Sequence, residues 1–221
     1  MRRDFVINKE VSKTQERIIN AAIYLVSQGG YKSATTKLIA EEALVNETTI
    51  FKNFKSKNAL LAIAFEQHTN RIKEEATLFF LSDFENQQDL IRQTGYFIQR
   101  LFQKNRYLIV ASIKEIGNKE LDNFFRCRQE YVDLILSNKL REFHDKEQSE
   151  DQYYKTISFI FNNALIALLL KDIGYSSEED HKKITVEDVI GIALLFLNTV
   201  DNKFMLDEKS SIKNIIRMEN I

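Results

Sequence analysis

Residues 17–61 read RIINAAIYLVSQGGYKSATTKLIAEEALVNETTIFKNFKSKNALL, and the reading of this stretch decides the fold. Before the glycine pair, Ile18, Ala21, Ala22, Leu25 and Val26 share one stripe at helical spacing. A first helix is therefore expected over 12–28, closed by Gly29-Gly30. Two shorter periodic segments follow near 36–43 and 46–52, joined by EALVN, and after a glycine-ended helix they make a helix-turn-helix. The second has about seven residues, too few to be stable alone, because nucleation costs more than so short a ladder returns. Ile50 and Phe54 have to anchor it on Ile39, Ala43 and the helix after Ser56, leaving Thr48, Thr49, Phe51, Lys52 and Asn53 outside. Pattern alone leaves two readings of that outer face: a surface shaped to lie against phosphate, or an ordinary helical hairpin with a solvated side.

The rest of the chain is punctuated for helix as well. Of its 221 residues none is proline and 6 are glycine, so the usual signals for sheets and tight turns are missing. Ser56 suits the N-cap of a long helix over 57–80, its hydroxyl accepting from a free first-turn amide. Further helices are expected near 87–104, 106–116, 119–146, 151–173, 186–204 and 209–218. Thr185 and Asp188 form a capping box before the helix at 186. Gly117 and Gly174 suit helix ends, whereas Gly95 and Gly191 lie inside apolar segments and read as sites of close packing.

Net charge is −1, but residues 1–60 hold 10 Lys/Arg against 6 Asp/Glu, while residues 61–221 hold 21 against 26. A basic front and a mildly acidic body fit an anion-binding module at the start of the chain. The single cysteine, Cys127, cannot form an intramolecular disulfide and reads as a small buried apolar residue, so a reducing cytoplasm is expected. No Cys/His cluster has zinc spacing, and neither a metal nor a cofactor is expected. The N-terminus lacks an apolar stretch of signal-peptide length, and no run reaches the ~18 apolar residues of a spanning helix. No membrane partner is expected.

Two segments, ISFIFNNALIALLL (157–170) and VIGIALLFL (189–197), are apolar almost all round. Such helices have to be covered on every side, by the chain's own bundle or by a second copy. A two-fold pairing would make an isologous four-helix interface, with Phe161, Leu165, Ile166, Leu169, Ile190, Leu194 and Leu197 as its expected residues. A buried amide without a partner is costly, so at least one of Asn162 and Asn163 is expected to bond across the dimer or to a ligand.

Residues 17–61 resemble the tetracycline-repressor (TetR) family of bacterial transcription regulators. The match keeps the paired alanines, the glycine-tyrosine end of the first helix, the Thr-Thr opening of the second, its Ile-Ala, and an aromatic-x-x-Phe-x-Ser-Lys-x-x-Leu run. Leu44 stands where the family turn has glycine, Asn46 where serine is common, Phe51 for tyrosine and Lys55 for proline. A left-handed backbone at Leu44 would cost a non-glycine residue roughly 1–2 kcal/mol.

The resemblance implies an all-α fold of roughly nine or ten helices. An N-terminal three-helix helix-turn-helix DNA-binding domain (1–56) would join, through a long helix, a C-terminal helical bundle for ligand binding and dimerisation (57–221). It implies as partners double-stranded operator DNA, a small-molecule effector and a second copy of the chain. Thr35, Thr36 and Lys37 would open the second helix against phosphate, as Lys57 would at the start of the fourth. Glu47, Thr48, Thr49, Lys52 and Asn53 would face the major groove, the Phe51 ring would pack on sugar or a thymine methyl, and Asn46 would join them as a DNA-binding residue.

Beyond residue 61 no motif carries chemistry. Phe97, Leu101, Tyr107, Phe124, Tyr131, Phe159 and Asn163 are the candidates for a ligand cavity in the bundle, though an aromatic stripe at helical spacing is more often plain core than pocket. Glu178 to His181 has the Glu-x-x-His spacing of a di-iron site, but no second copy exists, and no glycine-rich phosphate loop or nucleophile elbow appears. Catalysis is not expected. The resulting expectation is a repressor on a palindromic operator, released when a small, largely apolar molecule enters the bundle. The alternative is a protein of the same fold that answers to a protein partner or to no ligand.

Overall fold

The structure, a computed structural model, describes residues 12–118, 121–143, 151–174 and 184–198, which hold helices and turns and no strand. The helices are α1 (Lys13–Ser33), α2 (Thr36–Glu42), α3 (Glu47–Phe54), α4 (Lys57–Phe80), α5 (Gln87–Lys104), α6 (Arg106–Lys114), α7 (Asp122–Arg141) and α8 (Asp151–Gly174). Residues 186–198 form α9. The helix expected over 209–218, and the Glu178–His181 pair, lie outside the described residues.

Local chemistry accounts for the helix starts. Ser12 and Gln15 close a reciprocal capping box before α1, Gln15 N–H donating to Ser12 Oγ at 3.2 Å and Ser12 N–H to Gln15 Oε1 at 3.0 Å. Ser56 Oγ accepts from Ala59 N–H at 3.1 Å, the cap expected for α4. Thr185 N–H donates to Asp188 Oδ2 at 2.8 Å and Asp188 N–H to Thr185 Oγ1 at 3.2 Å, the box expected before α9. The Thr185 amide and hydroxyl hold the Asp188 carboxyl below its usual range. Helix α1 does not end at the glycine pair: Gly30 takes φ 79°, ψ 175°, and the chain re-enters helix as far as Ser33. Glycine here makes a kink rather than a stop.

The chain divides into two compact units. The first takes residues up to Glu75 with Asn105–Gln129, and the second takes Ala76–Lys104 with the residues from Glu130 on. A boundary after Ser56 does not follow this grouping, because α6 lies along α1 and joins the helix-turn-helix instead of the bundle. Inside the first unit Ile18, Ala22, Val26, Ile39, Ile50, Leu60, Leu61 and Phe65 are fully buried. Ile50 and Phe54 anchor α3 as the sequence implies.

In the second unit α5 packs on α8, and α9 closes on α5 at Gly95. A Cβ there would stand 2.6 Å from Ile190 Cδ1, so only glycine fits without displacement. Gly191 behaves differently from expectation: a Cβ built on it meets nothing within 4 Å. Helix α8 is long and apolar enough, by length and composition, to cross a membrane. Tyr154, Ile157, Phe161 and Leu165 nevertheless form a buried stripe along it, with Phe159 and Ile160 exposed between them. That is the burial of a bundle helix with one face uncovered.

Candidate nucleic-acid interface

The turn between α2 and α3 fixes how the reading helix is presented. Val45 N–H donates to Ala40 C=O at 3.0 Å and Leu44 N–H to Glu41 C=O at 3.1 Å, the paired bonds of a Schellman motif with Leu44 at its left-handed position. Leu44 accordingly has φ 54°, as its place in the sequence implies, and it is 81% exposed. Lys55, after α3, is also left-handed with φ 62°, which the sequence reading missed.

At the start of α2 the Thr35 hydroxyl accepts from Leu38 N–H at 3.2 Å and so keeps its proton free for an outside acceptor. Lys37 is exposed beside it. The Thr36 hydroxyl donates to the Glu47 carboxylate, tying the first turn of α2 to the first turn of α3. On α3 the residues Asn46, Glu47, Thr48, Phe51 and Lys52 are exposed, and Asn46 makes no capping bond with its side chain. Thr49 is half-buried. Asn53 departs from the expected outward pose, because its Nδ2 donates to the Thr49 carbonyl at 2.7 Å, one turn back on its own helix. Lys57 Nζ gives one proton to Tyr31 C=O at 2.9 Å and lies 4.0 Å above the Tyr31 ring centroid. The outer face therefore pairs cations and hydroxyls with one carboxylate that is already engaged. Such a face can hold phosphate at its edges and present Asn46, Thr48 and Lys52 to base edges.

The residues expected around a bundle cavity are not gathered in one place. Phe97 is buried and stacks on Phe79 at 4.1 Å, 3° from parallel, with Phe80 and Phe84 edge-on to Phe79; Leu101 is also buried. The Tyr131 hydroxyl is 2.5 Å from the Thr77 hydroxyl. Tyr107 falls elsewhere: it is exposed and edge-on to Tyr24 of α1 at 5.1 Å, because α6 packs on α1. Phe159 is 58% exposed, since it sits on the uncovered stripe of α8. The Phe124 side chain lies outside the described residues.

The two asparagines are corrected as well. Asn162 donates to Asp133 Oδ1 at 2.7 Å and Asn163 to the Phe159 carbonyl at 2.8 Å, so both amides find partners within the chain. Burial pushes the Asp133 carboxyl up to about 6 even though the Asn162 hydrogen bond opposes it. Cys127 is half-buried rather than buried.

The expected interface residues also need correction. Phe161, Leu165, Leu169, Ile190, Leu194 and Leu197 are all buried inside the chain, and Ile166 is half-buried. These helices are apolar on both faces, so periodicity could not say which stripe the chain covers for itself. The uncovered stripe is Phe159 and Ile160 on α8 with Ile192, Leu195 and Phe196 on α9. A concavity of about 510 Å³ lies along it, lined by Tyr153, Ile157, Ile160, Ile192 and Phe196 among others. The signal that could have found this stripe is the Gly95–Ile190 contact, which turns α9 one way and which sequence does not show.

Comparison with known proteins agrees with this arrangement. Residues 18–63 match the family described as bacterial regulatory proteins, tetR family. The HTH-type transcriptional regulator YvkB of Bacillus subtilis is 32% identical over 130 residues, 48% of this chain and 69% of that protein. The HTH-type transcriptional repressor KstR of Mycolicibacterium smegmatis is 26% identical over 180 residues, 80% of this chain and 87% of that protein. A TetR transcriptional regulator from Legionella pneumophila has the same fold, with a TM-score of 0.63 over 86% of this chain and 99% of that one at 17% identity.

Proposed function

Because the chain belongs to the TetR family and is a DNA-binding transcriptional regulator, we propose that it is a cytoplasmic repressor that binds a palindromic operator as a homodimer and leaves it when a small, largely apolar molecule enters the second unit. The repressor sign follows the printed name of KstR. Dimerisation through α8 and α9 is supported by the uncovered stripe of five large apolar residues, since monomers rarely leave contiguous apolar patches beyond a few hundred Å² in water.

The observation that carries the ligand step is a pair of orphaned hydroxyls. Thr94 on α5 and Ser158 on α8 are both 0% exposed, and neither hydroxyl has a hydrogen-bond partner among the described residues. Buried polar groups left so are costly, and a ligand that reaches either hydroxyl with a polar group on an apolar body would satisfy it. Release would then be a population shift, set by the ligand's differential affinity for two spacings of the reading helices.

The test has two arms. Selection of duplexes from a random pool should return an imperfect palindrome. A thermal-shift screen of apolar compounds bearing a hydroxyl or carboxyl should find stabilisers that release that duplex and that lose their effect in Thr94→Val and Ser158→Ala. Stabilisers whose effect survives both variants would place the ligand elsewhere, and a single non-repeated recognition sequence would remove the dimer.

A further inference from the structure

Helix α1 breaks at Gly30, and a break leaves an acceptor before it and a donor after it outside the regular ladder. Two adjacent side chains at the end of α6 take up both. Lys114 Nζ donates to the Gln28 carbonyl at 2.7 Å, and Glu115 Oε1 accepts from Tyr31 N–H at 2.6 Å. Glu115 is 7% exposed, and its other oxygen accepts from Asn118 Nδ2 at 2.8 Å, so the carboxylate is held at both oxygens. Gly30 leaves it room: a Cβ there would stand 3.3 Å from Glu115 Oε1 on a backbone already at positive φ.

The far side of the same residue grips α4. The Tyr31 carbonyl accepts from Lys57 Nζ, its ring lies under that ammonium, and its hydroxyl is bonded to Asn58 Oδ1. Lys57 and Asn58 are the first two residues of α4, next to the end of the reading helix. Tyr31 is thus held by α6 through its N–H and holds the α4 turn through three other groups.

We propose that Glu115 is a positioning residue for DNA binding: by accepting from Tyr31 N–H it fixes the break in α1, and through Tyr31 it sets where the Lys57 ammonium stands against phosphate. The proposal rests on Lys57 being a phosphate contact. Glutamine at 115 keeps an oxygen for the Tyr31 amide, whereas leucine fills the space and leaves that amide without its acceptor.

Full-length wild type, Glu115→Gln, Glu115→Leu, Lys114→Met and Lys57→Ala are titrated with a random-sequence duplex over a series of salt concentrations, in the cold, with circular dichroism confirming the fold. Glu115→Leu is expected to bind about ten-fold more weakly. Its log-log salt slope should fall by about 0.9, one phosphate contact, and its Tyr31 amide should exchange faster. Glu115→Gln should restore affinity, slope and exchange to near wild type. A folded Glu115→Leu with wild-type affinity and slope overturns the proposal, as does a Gln variant as weak as the Leu variant. Should Glu115→Leu not fold, Lys114→Met decides, because Lys114 is exposed. It is expected to bind about three-fold more weakly for want of the neighbouring tie to Gln28, and unchanged affinity assigns the pair to folding alone. Lys57→Ala separates the premise from the proposal. A slope it leaves unchanged removes Lys57 from the phosphate, whereas a slope it lowers, with Glu115→Leu unaltered, removes the positioning role only.

Discussion

Leu44 shows what a single residue concedes to its neighbours. It occupies the left-handed position that closes α2 with its side chain almost wholly in water, so it supplies no burial to offset the backbone cost. Replacing it with glycine should raise the free energy of unfolding by about 1 kcal/mol, read from denaturant titration, with DNA affinity unchanged. A lowered midpoint would show that Leu44 contributes something beyond its conformation. Lys37, by contrast, is exposed and makes its case only with DNA present. Lys37→Ala should weaken binding to all sequences about equally and lower the log-log salt slope by about 0.9.

Asp133 sets a pH dependence of the less common sign. Its carboxyl is pushed up from 3.8 to about 6 in the folded chain, so between those values the folded state holds more protons than the unfolded. Stability from this group is greatest below about pH 4, falls as pH rises towards 6, and is level above that. Asp133→Asn should flatten that part of the stability profile, and a profile identical to wild type would show that the carboxyl is not perturbed. Caps such as Ser56 and Thr185 were readable in the sequence because their partners lie within three residues. The partners of Asn162 and Glu115 were not, since each depends on a helix far away in the chain.

At the scale of elements, the order of the helices followed from periodicity and from the absence of proline, whereas the end of α1 did not, since the helix runs on past Gly30 to Ser33. The expected ranges for α4 and α5 coincide with the observed ones, and α8 differs by one residue. What periodicity could not settle was rotation. For α3 the apolar stripe is narrow, so Ile50 and Phe54 could face only inward. For α8 and α9 it is nearly complete, and the buried and uncovered faces differ only in what packs against them. Two substitutions on α9 separate those faces. Leu194→Asp puts a charge inside the chain and should unfold it, whereas Ile192→Asp puts one on the uncovered stripe and should yield folded monomers in sedimentation. A folded dimer carrying Ile192→Asp would move the interface to another surface.

Grouped by contact, the chain divides elsewhere than after Ser56, and α6 falls in the first unit beside α1. Its packing on α1 is what sets Tyr107 against Tyr24. For a two-fold dimer the reading helices should stand about 34–36 Å apart, one turn of B-DNA, so the selected duplex should carry half-sites at that spacing or a near multiple. Inserting half a turn between the half-sites should abolish cooperative binding, and binding indifferent to the insertion would mean that the two heads act separately.

The gap at Gly95 also makes this chain a tractable subject for genetics. A methyl at 95 would drive into Ile190, so Gly95→Ala should give a heat-sensitive regulator: active when cool, permanently derepressed when warm, with its DNA-reading end unaltered. A screen for revertants should recover Ile190→Ala, which removes both Cδ1 and Cγ1 and so returns the space that alanine took. Second-site suppressors confined to that one position would trace the contact between two helices from growth on plates alone.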